Sequence, residues 1–381
     1  MNSRVRLDSV DILRGLVMVI MALDHTRDFF SDFAGDPTDL SKVSAALFLT
    51  RWITHFCAPV FVFLAGAGAF LSNKPVPELS RFLITRGLWL LLLELTVVRC
   101  SICFNLDFKW NFGQVIWVLG FSMIGLAGLI RLPVRVVGAI GVAIILLHNL
   151  LDPIRAQSFG AWKWLWLFLH QPGVIQSDSG RVFFFAYSFL PWMGVMAAGY
   201  GFGALLRHPD RALVLMRLGL AMTGLFVVLR AINIYGDPRP WAQKQDLLYT
   251  VLSFLNCQKY PPSLLYVLMT LGPAILLLAL LDRVRGGPLL VYGRVPMFYY
   301  LLHFPLIHLC AVIAAWFTHG RFDFLLNFPP AVPPELFPAN YGYGLPVVYL
   351  IWIAIVVSLY LPCRWFAQLK RRRNDWWLSY L

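Results

Sequence analysis

Ten stretches of predominantly apolar residues recur along the sequence, at about 10–30, 52–72, 82–99, 114–130, 134–151, 182–206, 213–232, 262–281, 292–316 and 344–366. Each is about 17 to 25 residues long, which at about 1.5 Å per residue matches the roughly 30 Å apolar core of a bilayer. A backbone in lipid must satisfy its own hydrogen bonds, so stretches of this kind fold as helices. Charged residues make up only 13% of the chain and hydrophobic ones 59%, against roughly 25% charge in soluble domains. The expectation is an all-α, polytopic integral membrane protein of about ten transmembrane helices, forming a single domain over residues 1–381. The first stretch reads as a retained span, because Asp24, His25, Arg27 and Asp28 stand where a signal peptide would carry small residues for cleavage.

A net charge of +13 would in a soluble chain point to nucleic acid, but its distribution argues for membrane topology and against that partner. With the spans alternating, 19 of the 32 Lys and Arg residues fall on the side of the N-terminus, including Arg4, Arg6 and the run Arg371 to Arg373. Only six acids accompany them there, whereas 13 cations and 12 acids share the other side. Lys/Arg-rich loops stay in the cytoplasm, so both termini are expected inside. The inner connections are short. Four outer ones are longer, at about 31–51, 152–181, 233–261 and 317–343, and long loops carry function more often than connection. In the second of these, the Trp-rich segment Ala161 to Leu169 is too short to span and reads as interfacial or re-entrant. The last is broken by Pro329, Pro330, Pro333, Pro334 and Pro338 and is expected to be irregular.

Six cysteines are scattered through the chain. Cys100 and Cys103 form a Cys-x-x-Cys that an oxidising compartment could join, but no second pair follows to complete a zinc site. Packing accounts for the cysteines best. The glycines Gly194, Gly199, Gly201 and Gly203 lack the preceding strand of a nucleotide loop and read as points of close helix approach, as do Gly66 and Gly68.

Ionisable residues inside spans are costly and mark function by default. Arg14 and His25 share one face of the first span, eleven residues and roughly 16 Å apart. The stripe Asp11, Arg14, Met18, Met21, His25, Asp28 reads as a channel wall, with Leu16, Val17, Ile20 and Leu23 facing elsewhere. Depth sorts the polar residues into two layers. An outer one holds His25, Asp24, His55 and Glu94, and an inner one holds Asp11, Arg14, Arg86 and Arg294, with His303 further along the ninth span. Imidazoles beside carboxylates suit a general base or nucleophile, and arginines suit the phosphates of a ligand arriving from the cytoplasm. Acyl-coenzyme A has the length to connect the two layers. Asp11 with Arg14 is also a plain i, i+3 pair, and Arg86 is placed to snorkel. His148, His170, His208 and His319 lie near span ends or in loops and read as solvated.

The stretch RLDSVDILRGLVMVIMALDH resembles the first span of the heparan-α-glucosaminide N-acetyltransferase catalytic-domain family, whose members share a Ser-Val-Asp-x-x-Arg-Gly opening, here Ser9 to Gly15. The similarity continues through Pro59 to Gly66, Phe189 to Gly203 and Gly293 to His308. Arg14-x10-His25 is also similar to the basic-x10-His signature of membrane acyltransferases that O-acetylate surface polysaccharides. The resemblance implies transfer of an acyl group, usually acetyl, from cytoplasmic acetyl-CoA to a sugar or other envelope acceptor at the outer face. The implied setting is a bacterial inner membrane, with membrane lipids as neighbours and a homodimer compatible with the pattern.

On this reading His25, with Asp24, His55 and Glu94, forms the catalytic layer, and Arg14, Arg86, Arg294 and His303 bind the coenzyme, with no metal expected. The chain departs from the lysosomal enzyme of the family, which carries asparagine in place of His25 and its catalytic histidine in the following loop. No histidine lies between His25 and His55, and Arg81-x4-Arg86 stands where polysaccharide acetylases carry Arg-x-x-Arg. Two other classes compete. A transporter or export partner would also place polar residues at midplane, though it often shows inverted repeats that are not evident here. A lipid-linked sugar transferase would use a metal-binding acidic pair, for which Asp36 and Asp39 are the candidates.

Overall fold

A computed structural model describes residues 6–33, 35–327, 332, 334–373 and 375–380. Arg4, Pro329, Pro330 and Pro333 lie outside the described residues. The fold is 70% helix and 4% strand. Among the described residues fifteen α-helices run in order: α1 (Asp8–Phe30), α2 (Ala45–Thr54), α3 (Cys57–Leu71), α4 (Val76–Leu93), α5 (Arg99–Cys103), α6 (Val115–Leu129), α7 (Val134–Leu147), α8 (Lys163–Leu169), α9 (Phe189–Phe202), α10 (Arg211–Ile232), α11 (Leu247–Leu255), α12 (Leu264–Leu280), α13 (Pro288–Arg294), α14 (Pro296–His319) and α15 (Leu345–Arg372).

Seven helical segments among the described residues are long and apolar enough to cross a membrane: Ala45–Leu71, Val134–Leu151, Phe189–Arg207, Arg211–Ile232, Leu264–Arg283, Pro296–His319 and Leu345–Arg372. The other three expected spans are helical too, but α1 and α4 carry several charges and α6 has only 15 residues. Helices α10 and α15 turn apolar side chains outward, including Leu220, Val228, Leu350, Val357 and Leu361. Helices α3, α9 and α12 are mostly buried and form the centre.

Three expectations need correcting. The segment from 182 does not begin a helix. Its β-prone run Val182–Phe185 is strand β3, flanked by β1 (Trp110–Gly113), which it pairs in parallel, and by β2 (Gly173–Gln176), which it pairs antiparallel. The all-α expectation therefore gains a small sheet. Second, the stretch from 52 is broken at His55 and Phe56, between α2 and α3. Pro59 has no amide hydrogen to give the His55 carbonyl, and the Tyr266 hydroxyl donates to that carbonyl instead, at 2.7 Å. Third, α1 has no single inward stripe, since Val17 and Leu23 are as buried as Met18 and Met21. Helices α2, α3, α13, α14 and α15 surround α1, so it is a central post, not a channel wall.

Glycine sets how closely that post is held. A Cβ on Gly15 would lie 1.9 Å from the Leu289 carbonyl oxygen, and one on Gly293 would lie 1.7 Å from the Asp11 oxygen, so α1 and α13 meet backbone to backbone. This accounts for the glycine that ends the Ser9 to Gly15 motif. Gly66 and Gly199 do the same for α3 and α9. All six cysteines are free thiols, Cys100 and Cys103 included. The Trp-rich segment forms a 3-10 turn (Ala156–Trp162) followed by α8, with Trp162 and Trp164 exposed.

Candidate active site

The last turns of α1 carry Asp24, His25, Arg27 and Asp28, and this end of the helix meets α2 and α14. Asp24 is held by two guanidinium groups. Arg27 Nη2 lies 3.0 Å from it, and Arg51 of α2 bonds its second oxygen. Arg27 also pairs with Asp28. Asp24 is thus committed to arginines, and the carboxylate beside the His25 ring is that of Asp28, 3.7 Å from Nδ1.

His25 meets His303 of α14, with ring centroids 5.3 Å apart, and packs on Phe304 at 4.1 Å. Residues 299, 300, 303 and 304 fall within little more than one turn, which explains why one patch of α14 supplies aromatic rings and an imidazole together. His303 is wholly buried, and its Nδ1 lies 2.6 Å from the Tyr300 carbonyl. A carbonyl only accepts, so Nδ1 carries the hydrogen and Nε2 keeps a free lone pair. That Nε2 has no hydrogen-bond partner. His303 therefore belongs with His25, not with the inner arginines where the sequence placed it.

A cavity of about 50 Å³ opens beside His25, lined among others by Asp24, Cys57, Gln114, Tyr187, Lys259 and Tyr300. That is room for one or two waters. Lys259 is nearly buried, its ammonium 5.2 Å from the Tyr260 ring centroid. Tyr187 arrives from the turn after β3 and lies 5.3 Å from Tyr260, ring to ring. The buried hydroxyl of Tyr300 has no partner. Glu94 does not line the cavity but supports it. It opens a π-helical segment (Glu94–Val98), is fully buried, and accepts the Gln114 amide at 2.7 Å. π-Helical turns of this kind are frequent at functional sites. His55 is buried behind the cavity with Nδ1 unpartnered, its ring 5.5 Å from Tyr266.

The inner layer is further from this constellation. Arg14 donates to Asp11 at 2.9 Å and to the Gly293 carbonyl at 3.4 Å, while Arg6 holds the other Asp11 oxygen at 2.5 Å. The Asp-x-x-Arg of the motif is thus a built ion pair that pins α1 to α13. Arg86 stacks over Phe82 at 5.8 Å and lies within electrostatic reach of Arg14. Arg294 closes α13 and reaches Asp8 at 3.4 Å, leaving its Nε buried without a partner. None of the three arginines lines the His25 cavity.

Sequence reading missed Arg51, Lys259, Tyr187 and Tyr300, and took Arg27 and Asp28 only as neighbours of His25 on the first span. Arg51 had a signal, a cation one turn before His55 in an apolar stretch. Lys259 and Tyr187 had none, because long loops bring them in.

A search of the curated proteins finds no match. The family model described as heparan-alpha-glucosaminide N-acetyltransferase, catalytic, matches residues 6–232. That match spans more than half of the chain, from the Ser9 to Gly15 motif through α10. The chain accordingly belongs to the heparan-α-glucosaminide N-acetyltransferase catalytic family, a family of membrane N-acetyltransferases.

Proposed function

We propose that the protein transfers an acetyl group from acetyl-CoA, bound from the cytoplasmic side where α1 begins, to a hydroxyl or amine of a sugar-bearing envelope acceptor on the opposite side. The observation that carries this reading is His25, paired with His303, on a cavity that Asp24 and Lys259 also line, with Arg27 and Arg51 bound to Asp24 behind it. Asp28 beside Nδ1 favours the tautomer in which His25 Nε2 is the free base. His25 takes the acceptor proton as the acceptor oxygen or nitrogen bonds to the acetyl carbonyl carbon. The carbon–sulfur bond then breaks, and the proton passes to the departing thiolate.

Negative charge develops on the carbonyl oxygen during this step, and buried donors aimed at such charge supply much of the rate. Lys259 is the cation suited to that role, because Arg27 and Arg51 are held by Asp24 and Asp28. The Tyr300 hydroxyl, unpartnered at the cavity wall, is a second donor. The cavity is too small for a thioester and an acceptor together, so turnover requires it to widen. Arg14, Arg86 and Arg294 are the candidate phosphate contacts, and the unpartnered Nε of Arg294 fits an acceptor of that kind.

The test uses the purified full chain with radiolabelled acetyl-CoA and a cell-envelope extract. Label should move to an extract component, and His25→Ala should abolish the transfer. Full transfer by that variant would overturn the assignment, and uptake of label into vesicles without covalent transfer would favour a transporter.

A further inference from the structure

The second histidine cluster of the molecule lies away from His25, where α7 ends. His148 opens a 3-10 turn (His148–Leu151), Asp152 follows it directly, and His170 caps α8. All three offer a ligand atom within 4.8 Å of the other two. Both histidines are 2% exposed, which reverses the solvated reading of the sequence. The turn after α8 returns His170 to the end of α7, with its ring centroid 5.6 Å from that of His148. Hydrogen bonding does not explain the arrangement. His170 Nε2 has Asp152 at 3.0 Å and the His148 ring lies within reach of the Pro262 carbonyl, but His170 Nδ1 and at least one nitrogen of His148 have no partner. Buried polar atoms in native proteins are almost always paired, so imidazole nitrogens left orphaned on both histidines around one carboxylate require an explanation.

We propose that His148, Asp152 and His170 bind one divalent transition-metal ion of the zinc class. Two imidazoles and one carboxylate are the donor set that zinc takes in tetrahedral sites, and they exclude magnesium and calcium, which prefer oxygen. Ligands about 2.0–2.1 Å from a tetrahedral ion stand roughly 3.3 Å from each other, close to the 3.0 Å separation of His170 and Asp152. A second shell is already in place. Asn149 Nδ2 donates to the other Asp152 oxygen at 2.8 Å, and Asn149 Oδ1 accepts the Leu264 amide at 2.9 Å. The ion would staple the Trp-rich segment to α7, and through Asn149 to the start of α12, five residues beyond Lys259. With three protein ligands, a fourth position is left open.

The experiment takes the full chain in detergent, stripped with a chelator, and titrates it with Zn²⁺ alone and with Co²⁺ alone. One ion per chain is expected, with the strong visible absorption of four-coordinate Co²⁺ and a rise in melting midpoint on adding Zn²⁺. His148→Ala and His170→Ala should lose the Co²⁺ absorption, and Asn149→Ala should weaken binding roughly 10- to 100-fold. Asp152→Asn keeps the side-chain volume and guards against a folding artefact, since it should lose the ion while melting as the stripped protein does. Cys100→Ser with Cys103→Ser should bind normally. No stoichiometric binding by the unaltered chain, binding that survives loss of both histidines, or binding lost with the cysteines would each overturn the site.

Discussion

Two pairs of imidazoles, one with His25 partly exposed and the other wholly buried, sit in surroundings of opposite sign. Around His25 and His303 the charged neighbours are Asp24 and Asp28 against Arg27, Arg51 and Lys259, an excess of one positive charge. Around His148 and His170 the acid is Asp152, with no cation contacting the cluster among the described residues. A positive surround suits an anion that forms during a reaction, and a negative one suits a cation that stays. Histidines alone do not decide between catalysis and metal binding; the charges packed around them do. Zn²⁺ binding should therefore be unchanged by His25→Ala.

The largest effect that would break this comparison is on His25 itself. His25→Ala should lower acetyl transfer about 100- to 10,000-fold, the usual worth of a positioned general base, with little change in melting. His303→Ala should lower it less, because His303 touches the base and not its carboxylate. Equal losses at both positions would make the pair, not His25, the functional unit.

Next in size is the ion cluster behind the ring. Arg51 and Asp24 are each 12% exposed in their side chains, and Arg51→Met leaves Asp24 with Arg27 alone. Breaking a buried pair in this way costs about 3–5 kcal/mol, and should read out as a lowered midpoint of unfolding whether or not acetyl-CoA is present. Lys259→Met should act on rate, with roughly a 100- to 1,000-fold loss of transfer if its ammonium faces the developing oxyanion. A loss of melting midpoint with unchanged transfer would assign Lys259 to structure, and the positive surround of His25 would then lose its chemical meaning.

The sequence showed this organisation unevenly, for reasons that can be traced. Helices declared themselves through length and hydropathy, and Arg14 and His25 through the cost of charge in an apolar stretch. Asp11 with Arg14 was legible as a local pair because i, i+3 neighbours on a helix meet without help from the fold. His303 was placed by depth alone, and depth cannot show that α14 turns it onto α1. Lys259 and Tyr187 come from loops whose course is set by a three-stranded sheet and by the packing of α12, contacts far apart in sequence. The burial of His148 and His170 was hidden for the same reason, since the turn that returns His170 to the end of α7 follows no periodic rule.

The smallest effect concerns His55, which shares features with both clusters. Like His148 it is buried with an unpartnered ring nitrogen, and like Asp24 beside His25 it lies within electrostatic reach of Arg51 and Lys259. Its clearest bond is made by its backbone: the carbonyl freed by Pro59 accepts the Tyr266 hydroxyl at 2.7 Å. Tyr266→Phe removes that donor and should cost about 0.5–1.5 kcal/mol in stability. If His55 only joins α2 to α3, acetyl transfer at a temperature well below melting stays at the unaltered rate. If the His55 ring shares in the chemistry, the loosened carbonyl shifts the ring behind the cavity, and transfer falls while the midpoint barely moves. Measuring rate and midpoint on this one variant therefore decides whether the reactive cluster consists of two imidazoles or three.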